Sequence, residues 1–179
     1  LKSLASLAQA RDTPAAARDL LEQALEIRET LVGLAPENAA FKHETAVLLE
    51  ALAAIARAEG DADQSRTYLE QRLDLARALA QGDPLNEGWQ HDLAVSLFDA
   101  GTADQKAGEY AAAKAYFEQG RRTIQRLVLI SPIDLQWQYD LGKVEMRLAQ
   151  LAELMDEPEA AKTRFEAAGE IFATLASEQ

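Results

Sequence analysis

The stretch from Pro84 to Pro132 begins with PLNEGWQHDL (84–93), and a related segment, PIDLQWQYDL (132–141), starts where it ends. A third segment, PENAAFKHET (36–45), precedes it. A shift of 48 residues superimposes all three without a gap, with proline at 36, 84 and 132 and an aromatic ring at 41, 89 and 137. A gapless period of this size is typical of repeat proteins. The sequence thus predicts full repeats at 36–83, 84–131 and 132–179, preceded by a half repeat at 1–35.

Each repeat carries the signals of two helices. Thr13 and Pro14 resemble an N-cap and a first helical residue, and Pro36 ends the apolar stripe at three- and four-residue spacing that follows them. Asn38 is the predicted N-cap of the next helix, and Gly60 its stop signal. No segment alternates apolar and polar residues long enough to predict a strand. The sequence therefore predicts an all-α fold of about seven helices in one helical-repeat domain over 1–179, which we expect to be a fragment of a longer protein.

Composition excludes several classes of function. The formal net charge is −12, so the surface repels phosphate, and we expect neither nucleic acid nor an anionic membrane as a partner. A basic peptide or protein is favoured, although surplus acid can also simply keep a repeat protein soluble. There is no cysteine and there are two histidines, so the sequence predicts no disulfide, metal or cofactor site.

Two features of the sequence bear on cellular location. No apolar run approaches the roughly 20 residues that span a bilayer; the longest candidate is Leu127–Ile130. Nothing at the start resembles a signal peptide, although Leu1 is not an initiator methionine and a missing segment could have carried one. We expect a cytoplasmic protein.

Small and aromatic residues recur where paired helices must touch, most clearly at Gly101, Gly108, Ala113, Phe117 and Gly120. This pattern resembles the tetratricopeptide repeat. The resemblance implies antiparallel helix pairs that stack into an α–α superhelix. Family units are usually about 34 residues long, so a 48-residue unit implies helices extended by about two turns. The segments WQHDL (89–93) and WQYDL (137–141) resemble long-repeat bacterial arrays, which are often joined to signalling or effector domains.

A second stripe of residues follows the first helix of each repeat, about 200° around from the face that meets the paired helix. In the resembled family this side lines a concave groove that binds peptides. The stripe residues are His43, Val47, Glu50 and Arg57; His91, Val95, Phe98, Thr102 and Gln105; and Tyr139, Lys143, Met146 and Gln150. Phe98 is the leading candidate. The alternative is that stacking of adjacent first helices buries part of the stripe.

Two sets of polar residues recur in the repeats, and neither is predicted to form a metal or catalytic site. His43 and His91 occupy equivalent positions, but with Tyr139 they make a poor metal-ligand set. Three acids also recur, at Glu44, Asp92 and Asp140. Their regular spacing favours hydrogen bonds or ion pairs between repeats over catalytic carboxylates.

The sequence predicts a protein-interaction module that binds a peptide or protein segment in the groove. It does not predict an enzyme, because it contains no glycine-rich phosphate loop and no recognisable Ser–His–acid motif. The alternative is a structural spacer or self-association scaffold within a larger multidomain signalling protein, whose ends stack on further repeats or on a second copy.

Overall fold

The computed structural model describes residues 14–177, and every regular element within that range is an α-helix. The helices are α1 Pro14–Leu34, α2 Ala39–Ala58, α3 Ala62–Gly82, α4 Glu87–Ala107, α5 Tyr110–Ile130, α6 Leu135–Leu154 and α7 Pro158–Ser177. The prediction of an all-α helical repeat is thus confirmed. The first 13 residues of the half repeat predicted at 1–35 lie outside the described residues.

Helices α2, α4 and α6 begin at the cap predicted at Asn38 and at its equivalents in the next two repeats, whereas the cap predicted at Thr13 lies outside the described residues. In each case the cap side chain accepts a hydrogen bond from the backbone N–H three residues further on. Asn38 accepts from Phe41 (3.2 Å), Asn86 from Trp89 (3.1 Å) and Asp134 from Trp137 (3.0 Å). Each cap satisfies a backbone donor that the first turn of a helix leaves without an intrahelical partner. Helices α2, α4 and α6 therefore start at positions 39, 87 and 135, which preserves the 48-residue spacing.

The turn inside each helix pair uses one left-handed residue. Gly60 and Gly108 have φ values of 83° and 81°, as expected for glycine at the end of a helix. The equivalent residue of the last repeat is Asp156, with a φ of 58°. Aspartate visits this region more readily than most side chains because it is short and polar. The turn geometry is therefore retained in the repeat that lacks the glycine.

The chain divides into two compact units, the first ending at Gly82 and the second beginning at Asp83. In the first unit α2 pairs with α3 and also contacts α1. In the second unit α4 pairs with α5, α6 pairs with α7, and α6 also packs against α5. The division falls one residue from the repeat boundary expected between 83 and 84. The layout of one domain over 1–179 stays a prediction.

The core of the second unit is built around Phe117, whose side chain is 0% exposed. A Cβ at Gly101 of α4 would lie 2.8 Å from this ring, so glycine provides the space that the ring occupies. On the α6 side the ring belongs to a cluster with Val144, Leu148 and Leu151. One aromatic side chain thereby joins α4, α5 and α6.

Candidate functional site

All thirteen stripe residues lie within the described range, and none is fully buried. Four of them are exposed, namely Val47, Glu50, Arg57 and Tyr139, and the other nine are half-buried. In the first unit the stripe lies on α2. In the second unit it lies on α4 and α6, which contact each other.

The two stripes of the second unit meet around a small cavity of about 80 Å³. Val95 and Phe98 of α4 line it together with Asp140 and Lys143 of α6. We call these four residues the α4–α6 surface. It combines apolar side chains with both signs of charge.

Phe98 has a structural role as well as a surface position. Its ring centroid lies 5.7 Å from that of Phe117 in the paired helix α5. From the α6 side, Lys143 Nζ lies 5.0 Å and Arg147 Cζ 5.9 Å from the Phe98 ring centroid, within the range of cation–π interactions. Part of the stripe is therefore buried by the stacking of first helices, and a change at Phe98 alters the core as well as the surface.

Two further stripe residues contact the helix paired with their own. The ring centroids of Tyr139 and Phe172 in α7 are 5.9 Å apart. In the first unit, Glu50 Oε2 lies 3.5 Å from Nη2 of Arg72 in α3, whose side chain is buried. The stripe thus includes residues at the edges of the helix pairs in addition to residues on the open side.

Asp140 is the most connected polar group of the α4–α6 surface. Its Oδ2 accepts hydrogen bonds from His91 Nε2 at 3.0 Å and Gln136 Nε2 at 2.9 Å, and its Oδ1 accepts one from Lys143 Nζ at 3.2 Å. Burial raises the pKa of Asp140, but these three donors outweigh it and bring the pKa down to about 2. The bond to His91 joins two repeats, as the recurrence of this acid predicts. Glu44 likewise pairs with Arg28 of the preceding repeat.

The low pKa of Asp140 predicts a specific acid sensitivity. Because the folded pKa of about 2 lies below the ordinary value of 3.8, the charged form stabilises the fold above about pH 4, and this contribution is lost as the pH falls towards 2. We expect Asp140→Asn to be less stable than the parent protein at pH 7, with the difference shrinking between about pH 4 and pH 2. Urea titrations at several pH values measure this. The control is Asp83→Asn, at an exposed acid, for which we expect a much smaller change. A constant deficit for Asp140→Asn down to pH 2 would contradict the prediction.

The structure contains a partly buried ionic network, centred on the buried Glu145, that the sequence analysis missed. Its members are Glu118 and Arg121 of α5, Glu145 of α6 and Arg164 of α7. Arg164 donates from Nη1 to Glu145 Oε2 at 2.9 Å and from Nη2 to Glu118 Oε1 at 2.7 Å, while Arg121 Nη1 lies 3.7 Å from Glu145 Oε1. One residue in the sequence could have indicated this network. The 48-residue shift places Glu145 where the other repeats have Leu49 and Leu97, so a carboxylate stands at a leucine position.

The described residues show no arrangement that points to a metal or to a membrane. Among residues 14–177 no three His, Asp or Glu side chains lie close enough together to hold a metal ion. No helix in that range combines the length and low polarity needed to cross a bilayer. The expectation of a cytoplasmic location stays a prediction.

Comparison with known proteins gives one family. Residues 1–39 match the family model described as "Tetratricopeptide repeat". No curated protein matches the chain. Among solved structures, the crystal structure of BtubC (BKLC) from P. vanneervenii is similar over 89% of this chain and 91% of that chain, with 11% identity and a TM-score of 0.25, which is too low to support an argument. The family match at 1–39, together with helix pairs that recur every 48 residues, supports a repeat of the tetratricopeptide type.

Proposed function

We propose that this chain is a protein-interaction module that binds a peptide or protein segment along the stripe of first-helix residues. Members of this family typically bind proteins or peptides and are not catalysts, and a non-catalytic role is part of the proposal. The supporting observation is that apolar stripe residues remain partly exposed between helices that otherwise pack closely, among them Val95 and Met146. Partly exposed apolar residues grouped on one face are characteristic of contact surfaces.

Charge suggests the character of the bound segment. The chain carries 30 acidic and 18 basic residues, so its field attracts cationic partners and speeds their association. At the cavity itself two carboxylates, Asp99 and Asp140, accompany one ammonium group, Lys143. We propose a segment that combines an apolar anchor near Val95 with basic residues on either side.

The test requires a substitution that changes the surface without changing the core. Phe98 is unsuitable because it packs against Phe117. Met146 is half-buried on α6 and belongs to the stripe. Met146→Lys removes an apolar contact and repels a basic segment, while lysine keeps a high helix propensity.

Peptides are first selected on the parent protein from a display library, and their Kd values are then measured by titration calorimetry. We expect Met146→Lys to raise the Kd at least tenfold, which corresponds to about 1.4 kcal/mol. Ala115→Lys is the matched control, since Ala115 is exposed on α5, outside the stripe, and should leave the Kd unchanged. If Met146→Lys and Ala115→Lys bind the selected peptides equally well, the stripe is not the binding surface.

A further inference from the structure

The exposed side of α5 combines two arginines with two large aliphatic residues. Arg122, Arg126, Leu129 and Ile130 stand at i, i+4, i+7 and i+8, a spacing that places them on one face of the helix. We call these four residues the α5 patch. Both arginines are exposed, and Leu129 and Ile130 are 75% and 62% exposed. The patch is therefore separate from the buried face of α5, which packs on α4 and α6.

The other second helices show that the fold does not require these residues. At the position of Arg122 they carry an acid, namely Glu26 in α1, Asp74 in α3 and Glu170 in α7. Arg126 and Leu129 also have no counterpart of their kind, because the equivalent pairs are Thr30 and Gly33, Ala78 and Gln81, and Thr174 and Ser177. Only Ile130 has a large apolar counterpart, Leu34 of α1. The composition of the patch thus points to a role other than folding.

The two arginines of the patch are not used within the protein. Neither Arg122 nor Arg126 has a hydrogen bond or ion pair within residues 14–177. Their neighbour Arg121, by contrast, donates to Glu118 and Gln125. The helix has no acid after Glu118, and neither free arginine lies in its last turn, where the helix dipole would favour a cation. Two adjacent guanidinium groups are therefore available to carboxylates from outside.

We propose that the α5 patch binds an acidic, amphipathic segment of a partner protein. Two carboxylates of the segment pair with Arg122 and Arg126, since a guanidinium holds a carboxylate through parallel N–H donors. Acids at i and i+4 of a helical segment match the spacing of the two arginines, with about 5–6 Å between Cβ atoms on each helix. Aliphatic side chains of the segment cover Leu129 and Ile130. The patch lies on a second helix, so it is separate from the first-helix stripe and attracts the opposite charge.

The charge and the aliphatic residues together favour a polypeptide over other anions. An anionic membrane presents its charge over a wide area, which would face the net charge of −12 on the chain. A short acidic segment meets the two arginines alone. A free phosphate would leave Leu129 and Ile130 uncovered, whereas an amphipathic segment removes them from water.

The probe is a fluorescein-labelled helical peptide that carries leucines at i and i+1 and glutamates at i+4 and i+8. An antiparallel helix with this order meets Ile130, Leu129, Arg126 and Arg122 in turn, and a second probe reverses the order. Fluorescence anisotropy with the whole chain measures the Kd, and we expect saturable binding of one probe. Arg122→Glu combined with Arg126→Glu should raise the Kd at least tenfold, because two attractions become two repulsions. A probe with lysines in place of the glutamates should bind this double variant.

The apolar part of the patch and the net charge are tested separately. Leu129→Gln introduces the residue that α3 has at this position and should raise the Kd at least threefold. Lys106→Glu combined with Lys162→Glu is the matched control, since it changes the net charge equally at two exposed lysines outside the patch. It should change the Kd less than twofold.

Several outcomes would overturn the proposal. The absence of saturable binding of either probe at millimolar concentration would do so, as would equal losses in the two double variants. Phosphatidylserine vesicles that bind the parent protein but not the arginine double variant would assign the patch to a membrane. A dimer that sediments as a monomer after the arginine changes would assign it to a second copy. Because Met146→Lys should leave the Kd of the probe unchanged, failure here is distinguishable from failure of the stripe.

Discussion

Replacing Phe117 with alanine will lower the free energy of unfolding by about 3–5 kcal/mol, the cost of emptying a large aromatic site in a core. The side chain is 0% exposed and lies against two helices besides its own, α4 and α6, so no single shift can close the cavity. Urea titration followed by circular dichroism measures the loss. Phe165→Ala is the matched control at the equivalent but half-buried position, and we expect it to cost less than half as much. Equal losses would contradict the view that α6 is what buries Phe117.

The space at Gly101 gives a second test of the same contact. Gly101→Ala should lower stability by roughly 1–2 kcal/mol, because its Cβ would meet the Phe117 ring at 2.8 Å and overpacking outweighs the gain in helix propensity. Gly169→Ala, in α7 with no atom within 4 Å of the added carbon, should instead stabilise by up to about 1 kcal/mol. In a Phe117→Ala background the Gly101→Ala penalty should vanish, since the ring that caused it is gone. Additive effects would show that the contact is not the cause.

Replacing Arg164 with alanine will cost roughly 2–3 kcal/mol, because it leaves the Glu145 carboxylate buried with only a distant cation. The Glu145 side chain is 8% exposed, and its remaining partner, Arg121 Nη1, lies 3.7 Å away. The value is below that of a fully buried pair because 28% of the Arg164 side chain remains exposed. Urea titration against the parent protein measures the loss.

The other repeats indicate how the loss can be reversed. At the positions of Arg121, Glu145 and Arg164, the repeat before carries Leu73, Leu97 and Tyr116. A triple variant, Arg121→Leu, Glu145→Leu and Arg164→Tyr, should therefore return to within about 1 kcal/mol of the parent protein, since apolar residues of similar volume can replace a buried ionic group. If the triple variant is less stable than Arg164→Ala alone, the network contributes more than the avoidance of an unpaired charge.

The helices were predictable because their ends are determined locally. Asn38, Asn86 and Asp134 accept from a backbone N–H three residues on, so a cap can be read without knowledge of the rest of the chain. Gly60 and Gly108 end helices for an equally local reason. The 48-residue spacing then gave the pairing, because short turns make consecutive helices antiparallel neighbours.

The candidate site was less predictable because it depends on side chains far apart in the chain. The helical period placed Phe98 on the open side of α4, but its contact with Phe117 depends on how closely α4 and α5 approach. Gly101 allows the two helices to lie this close because it has no Cβ to meet the Phe117 ring. That role becomes evident only once the position of the ring is known. Asp140 was predicted to bridge repeats, and it does so through His91, but its bond to Lys143 follows from side-chain rotamers that no sequence pattern specifies.

Glu22 of α1 and Glu118 of α5 occupy equivalent positions but accept hydrogen bonds from different donors, which has a consequence for how the helix pairs assemble. Glu22 accepts from a tyrosine hydroxyl, whereas Glu118 accepts from a guanidinium that also holds Glu145. If the hairpin of α6 and α7 docked on α1 instead of α5, Glu145 would face Leu25, the residue that takes the place of Arg121, and part of its counter-charge would be missing. A misplaced hairpin is thereby penalised. The ionic pairing thus favours docking of this hairpin on α5 over docking on an equivalent helix of another repeat.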